Sequence, residues 1–217
     1  VDFLLKNRTV LGTRPTVVAS IVTSEMGMQI AEKNGCCAKK VLTGFRFIGN
    51  AVTAYENEIA ENKADAHHFL IGYEESYGYL KGTYARDKDA VVASMLICEM
   101  TAFYKAKGMT LSDALNALWE KYGYCYEANV EIYMEGLDGA ARMAALMDSL
   151  RNDPPKSAAG LAVLEMEDYE SEAMIAKGYL KSNVLRFILE DGSWIAVRPS
   201  GTEPKCKFDF SVRGKNR

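Results

Sequence analysis

The sequence predicts two domains of different class. Residues 15–125 read as an α/β domain, a mixed sheet with flanking helices; residues 126–217 read as a small α+β domain, an antiparallel sheet plus a helix. Three observations predict this. Between residues 15 and 123, short β-branched or apolar runs alternate with helix-like segments. After about residue 130, an Asp-Gly turn joins two strand-like runs, and a third run alternates apolar and polar residues. The chain has 217 residues, 48% hydrophobic and 25% charged, enough for one or two cores.

Residues 1–14 read as the end of a preceding segment. Thr16–Val22 is β-branched and short, hence a strand. Ser24 can cap a helix that runs to Asn34 and stops at Gly35. Val52–Lys63 reads as a helix and Phe69–Tyr73 as a short buried strand. Asp89–Lys107 is apolar nearly all round, which predicts a buried helix. Thr110 caps the next helix, whose Leu111, Ala114, Leu115 and Leu118 share a face and which ends at Gly123. In the second domain, Asp138–Arg151 is a helix stopped by Asn152-Asp153-Pro154-Pro155. Val184–Glu190 and Ser193–Arg198 form a hairpin about Asp191-Gly192. In Lys205–Val212, Cys206, Phe208, Phe210 and Val212 share one face, with Lys205, Lys207, Asp209 and Ser211 on the other.

Composition narrows the function. A net charge of −3 gives no global attraction to nucleic acid or an anionic membrane, so any anion site must be local. No apolar run approaches the ~20 residues that span a bilayer. The five cysteines are irregularly spaced without a CxxC, as reduced thiols of a cytosolic protein would be. His67 and His68 are adjacent on an extended segment and point to opposite faces, so no shared metal site is expected. The start at Val1 and the abrupt end after the last strand read as a fragment.

Four motifs carry chemistry. Arg198-Pro199-Ser200-Gly201-Thr202-Glu203-Pro204-Lys205 combines a guanidinium fork, two hydroxyls, a Gly and a Lys between two strands. Those groups suit a phosphate oxyanion, and the two prolines restrict the loop; a polar turn is the alternative. Gly72-Tyr73-Glu74-Glu75-Ser76-Tyr77-Gly78 follows a strand of the α/β domain, where ligands gather. Its carboxylates and hydroxyl suit a polyol, although a charged loop with two aromatics would read the same. Arg86-Asp87-Lys88-Asp89 opens a helix, with Asp87 or Asp89 as cap; its cations face an anionic ligand or pair with the neighbouring Asp residues. Thr43-Gly44-Phe45-Arg46-Phe47-Ile48-Gly49-Asn50 alone is a turn.

Together and in this order, from about Pro15 to Val212, these motifs resemble the α-D-phosphohexomutase family of phosphoglucomutases and phosphomannomutases. The resemblance implies domains 3 and 4 of a four-domain phosphosugar mutase that interconverts hexose 1-phosphate and hexose 6-phosphate through a phosphoserine and a bisphosphate. A phosphoglucomutase is the first expectation and a phosphomannomutase the next. A phosphopentomutase-type member or a non-catalytic phosphosugar-binding module are the alternatives. The resemblance also implies Mg2+, a glucose 1,6-bisphosphate-type activator, a phosphosugar substrate and cytoplasmic location. The family's Ser-His-Asn-Pro loop and Asp-rich metal loop are absent from this sequence, so nucleophile and metal would come from N-terminal domains of the same protein, and the chain alone is expected to be inactive. Carried over by position, Glu74 and Ser76 would bind sugar hydroxyls, and Thr43 and Gly44 would line the sugar pocket. Lys88 would sit near the reacting phosphates and assist proton transfer. Arg198, Ser200, Gly201 and Thr202 would grip the phosphate that is not transferred, supported by Lys205. Phe45 stands where some members carry a His, so no acid–base role transfers to that position.

Overall fold

The computed structural model describes residues 1–7, 12–201 and 203–214. They fall into two compact units, Val1–Tyr124 and the chain from Cys125 onward. Each is built around its own sheet.

The first unit runs α1 (Asp2–Asn7), β1 (Arg14–Ser20), α2 (Glu25–Lys33), β2 (Cys37–Val41), α3 (Phe45–Ala60), β3 (His67–Tyr73), β4 (Tyr79–Leu80), α4 (Ala90–Lys105) and α5 (Leu111–Tyr122). Its sheet has the order β2-β1-β3-β4, with β1 parallel to both neighbours and β4 antiparallel to β3. This is a mixed sheet with flanking helices. The apolar run of β1 follows from its place: a strand covered on both faces needs no alternation. Val17 and Ala19 pack with Met28 and Ala31 of α2 and with Leu4 and Leu5 of α1. Val18, on the opposite face, packs with Phe45, Ile48 and Tyr55 of α3. Local signals set the helix ends. Ser24 Oγ accepts from Met26 N at 3.3 Å, and Thr110 and Asp113 form a reciprocal capping box.

Three sequence expectations change here. Residues 2–7, read as the end of a preceding segment, are a helix packed on the core of the first unit. Their Leu4-Leu5 pair is too short to show a period. The Thr43–Asn50 turn is in fact the entry and first turns of α3, which begins at Phe45 rather than Val52. Its aromatic and Gly residues are weak helix formers, and tertiary packing overrides that preference. Finally, α4 forms as expected but is not buried. Tyr104 alone among its residues is buried, while Val91 is 72% and Met95 56% exposed. Hydropathy sets what a helix would gain from cover; the cover itself depends on which elements reach it. Here α1 meets its last turn, through Phe3 on Phe103 at 5.4 Å and Tyr104 Oη donating to Asp2 at 2.9 Å.

The second unit contains β5 (Tyr124–Tyr133, whose first residue belongs to the first unit), α6 (Gly139–Asn152), β6 (Ser157–Ala158), β7 (Leu161–Asp168), α7 (Glu172–Ala176), β8 (Leu185–Leu189), β9 (Trp194–Pro199) and β10 (Lys205–Gly214). Its sheet has the order β5-β10-β9-β8-β7-β6, antiparallel at each pairing from β10 to β6. Met147 of α6 closes one face over Leu185, Phe187, Val197 and Cys206. The hairpin turn is tied by Asp191 Oδ1, which accepts from Ser193 N at 2.8 Å. The split of β10 into an apolar and a polar face holds, but the polar face is not solvated: Lys205, Asp209 and Ser211 are all buried. The strand lies inside the sheet between β5 and β9, and both neighbours bring polar partners to it. No helix among the described residues is long and apolar enough to cross a membrane.

Candidate functional site

In the first unit the parallel register aligns the strand ends. Ser20 pairs with Val41, and Ala19 with Tyr73. Three connections therefore leave the sheet at its carboxyl edge: Ile21–Ser24, Leu42–Gly44 and Glu74–Gly78. That edge is where open α/β sheets bind ligands.

The β3–β4 connection is a closed loop, with Glu74 N donating to Gly78 O at 2.9 Å. Glu74 is only 8% exposed, and its Oε1 accepts from Gly44 N at 2.8 Å. Gly44 is the N-cap of α3 with φ +112°, a conformation that favours glycine and that aims its N–H at this carboxylate. Half-buried Thr43 precedes it. Lys88 reaches the same place from the segment before α4. Its Nζ lies 5.4 Å over the Phe45 ring, and its stem covers Gly78. A Cβ on Gly78 would stand 2.5 Å from Lys88 Cδ and 3.4 Å from Glu74 Oε2, so the missing side chain is what lets lysine and carboxylate share the site. Thr43, Gly44, Glu74 and Lys88 are thus brought together, with Ser76 exposed on the loop they surround. Phe45, where no acid–base role could be transferred, supplies an aromatic face for the lysine.

The charged segment before α4 divides its work. Asp89 is the cap, with Oδ1 accepting from Val91 N at 2.7 Å and Val92 N at 3.1 Å. Arg86 is a strut, bonded to Glu56, Thr53 and the Thr83 carbonyl. Lys88 pairs with Asp87 at 2.7 Å, and that contact holds the Asp87 carboxyl below the usual carboxylate range.

In the second unit, the loop between β9 and β10 is a compact turn. Ser200 N donates to Lys205 O at 2.8 Å, Lys205 N to Glu203 O at 2.7 Å, and Glu203 N to Ser200 Oγ at 3.2 Å. Just past β5, Met134 N donates to Pro204 O at 2.7 Å. Gly201 is exposed with open space around it, so an anion can approach its backbone. Thr202 lies outside the described residues. Arg198, at the end of β9, directs Nε to Asp209 Oδ2 at 2.7 Å, and Asp209 is 3% exposed. This anchor helps to fix the guanidinium plane beside the loop. Lys205 is buried, with Nζ held by Glu131 at 3.0 Å and Glu203 at 2.8 Å. Lys207 also pairs with Glu131, at 3.0 Å. Arg198, Ser200, Gly201 and Lys205 are therefore brought to one loop, but both named cations already have carboxylate partners. The sequence reading missed Asp209 and Glu131. An acidic residue two positions from a lysine on an alternating strand looks like surface charge until its neighbouring strands are known.

Glu131 carries a measurable signature. Hydrogen bonds from Lys205 and then Lys207 pull its carboxyl from the ordinary 4.5 down to about 2. A carboxylate depressed on folding contributes stability that is complete above its unfolded value and lost as pH falls through the folded one. The tie between β5 and this loop is thus expected to hold on acidification until pH approaches about 2. A carboxyl NMR titration of Glu131 checks this; a midpoint near 4.5 would mean that the two lysines do not hold it.

Among the described residues no group of three His, Cys, Asp or Glu could hold a metal ion. His67 Nδ1 instead meets Glu58 at 2.8 Å, and His68 Nδ1 the Ala66 carbonyl.

Comparison with known proteins agrees with both halves. The family profile "Phosphoglucomutase/phosphomannomutase, alpha/beta/alpha domain III" matches residues 2–122, and "Phosphoglucomutase/phosphomannomutase, C-terminal domain" matches 146–213. The chain is 38% identical over 208 residues to a phosphoglucomutase of Staphylococcus haemolyticus and 35% identical to one of Staphylococcus aureus. In each case the match covers 92% of this chain and 36% of the relative, so the chain spans about a third of the length of these relatives. Among solved structures, parafusin of Paramecium, a phosphoglucomutase in its open form, has a similar fold with a TM-score of 0.67 at 22% identity, over 93% of this chain and 34% of its own. A phosphoglucomutase/phosphomannomutase family protein of Burkholderia thailandensis gives 0.58 at 13% identity, over 99% and 36%.

Proposed function

The chain belongs to the phosphoglucomutase/phosphomannomutase family, and from that premise we propose that it is the substrate-positioning part of a mutase interconverting glucose 1-phosphate and glucose 6-phosphate. In this reading the first unit reads sugar hydroxyls and the second holds the phosphate that is not transferred. The observation that carries it is the pairing of Glu74 with Gly44 N–H beside Lys88 at the carboxyl edge of the sheet. A carboxylate offers several lone-pair sites on its two oxygens, the chemistry that reads sugar hydroxyls, and Ser76 adds a second polar group on the same loop. Glucose is preferred over mannose because the similar curated proteins are phosphoglucomutases.

The reaction moves a phosphoryl group from a serine oxygen to the free sugar hydroxyl, giving a bisphosphate. The sugar turns round and returns its other phosphate to the serine. Phosphoryl transfer is mostly positioning and charge neutralisation. Arg198, Ser200 and Gly201 hold the spectator phosphate in both orientations. Lys88 neutralises charge near the reacting groups and assists the proton transfer from the attacking hydroxyl. Mg2+ in this family would neutralise charge on the transferred phosphoryl; the described residues do not form a site for it, so its ligands and the serine would come from elsewhere in the whole protein. The chain alone is expected to bind substrate without turning it over.

Isothermal titration with glucose 1-phosphate, with glucose, inorganic phosphate and mannose 1-phosphate as separate ligands, tests this. Tighter binding of glucose 1-phosphate than of the other three is expected. Binding no tighter than that of inorganic phosphate would overturn the sugar-reading role, and preference for mannose 1-phosphate would reassign the substrate.

A further inference from the structure

The hydroxyl-reading loop carries two consecutive carboxylates, and the structure sends them to different places. Glu74 goes to Gly44, at the turn into α3. Glu75 turns back to the end of β1, where Ser20 Oγ donates to its Oε2 at 2.8 Å. Ser20 is fully buried, and its hydroxyl shares a second hydrogen bond of 2.6 Å with the buried hydroxyl of Thr23. Thr23 N in turn donates to Ser20 O at 3.1 Å, which closes the turn between β1 and α2. The two carboxylates therefore tie all three carboxyl-edge connections of this unit into one hydrogen-bonded assembly.

The loop needs such ties. Tyr77 sits at φ +62°, in the left-handed region that a bulky side chain adopts only at a cost, and it is 88% exposed, so no packing of its ring compensates. The conformation must be imposed by its flanks. On one side the Glu74–Gly78 backbone bond closes the loop; on the other, the Glu75 carboxylate is seated on the rigid end of the central strand. A loop left free to relax at Tyr77 would carry Ser76, its immediate neighbour, out of place.

We propose that Glu75 is a positioning residue: its bond to the buried Ser20–Thr23 hydroxyl pair holds the loop in the strained form that presents Glu74 and Ser76 to a sugar. The inference rests on the hydroxyl-reading role proposed above. Glu75 itself does not read the sugar; it acts through the backbone. That separates it from Glu74, although the two are adjacent and chemically identical.

Three variants of the chain test it: Glu75→Ala removes the anchor, Ser20→Ala removes its donor, and Glu75→Gln keeps a carbonyl acceptor at the same reach. Two readouts are taken, amide hydrogen exchange over residues 74–79 and the affinities for glucose 1-phosphate and for inorganic phosphate. Glu75→Ala and Ser20→Ala are each expected to speed loop exchange and weaken glucose 1-phosphate binding by about ten-fold, the scale of one hydrogen bond to a charged group. Inorganic phosphate binding should not change. Glu75→Gln should restore both readouts to within about two-fold, and the effects of Ser20→Ala and Glu75→Ala should be less than additive in the double variant, because both remove the bond they share while Ser20→Ala also removes the one to Thr23. Unchanged loop exchange in Glu75→Ala would overturn the anchor. A Gln variant as weak in sugar binding as the Ala variant would also overturn it, by making the carboxylate a direct reader. If the unaltered chain shows no preference for glucose 1-phosphate, the proposed function fails; the exchange readout with its Gln rescue still decides for or against the anchor.

Discussion

Replacing Arg198 with alanine is expected to weaken binding of inorganic phosphate and of glucose 1-phosphate by about 1.5–3 kcal/mol, the scale of a charge-assisted contact. It should also destabilise the second unit by about 3 kcal/mol, because it strands Asp209 as an unpaired charge inside the sheet. The two losses have different causes and can be separated. Asp209 is nearly inaccessible and bonds Arg198 Nε at 2.7 Å, so removing the guanidinium leaves a carboxylate inside the sheet without the cation that balances it. Adding Asp209→Asn to Arg198→Ala removes that charge. Most of the lost stability should return in denaturant unfolding, while phosphate affinity stays low. Arg198→Lys should keep part of the affinity through its charge but lose the planar fork. Full phosphate affinity in Arg198→Ala, by titration calorimetry, would sink the assignment of this loop to phosphate.

Glu74→Ala is the second large effect. Discrimination between glucose 1-phosphate and inorganic phosphate should disappear, since the residue proposed to read hydroxyls is gone, while phosphate alone binds as before. The same change leaves Gly44 N–H without its carboxylate at the entry to α3, at a cost of about 1–3 kcal/mol. Glu74→Gln separates the roles. Its amide oxygen can still accept from Gly44 N, so thermal stability should recover, whereas sugar affinity should stay reduced because a neutral acceptor bonds hydroxyls more weakly than a carboxylate. If phosphate binding vanished together with sugar binding in either variant, the division of labour between the two units would be wrong.

Much of this was readable from the linear chain. Ser24, Thr110 and the Asp191-Gly192 turn each name a local event, and local events need only neighbours within a few residues. The mixed and antiparallel sheets followed from the same reading, because the spacing of apolar runs reflects which strands are covered on two faces and which on one. β2, β5 and β7 were not recognised. Their residues mix Lys and Glu with apolar side chains, and that mixture makes sense only once their strand partners are known.

The candidate site divides along the same line. Its motifs stood out in the sequence because loops that hold an oxyanion or a polyol need unusual residues close together. The direction each side chain takes did not. Glu74 and Glu75 are indistinguishable in the chain, yet one is held at Gly44 and the other at Ser20, 55 residues away. Asp209 and Lys205 were placed on the polar face of an alternating strand, and both are buried. Asp89–Lys107 looked like a buried helix and is largely exposed.

The linear chain carries most of its helices, its Asp-Gly hairpin, the class of its two folds and the motifs that single out candidate residues. All of these depend on propensity and short-range pattern. The tertiary structure alone sets which partner each of the two adjacent carboxylates meets, which cations are already paired, and which apolar face is covered. Those outcomes depend on contacts between residues far apart in the chain, and the energy of burying a charge or an apolar face belongs to the pair that meets, not to either residue alone.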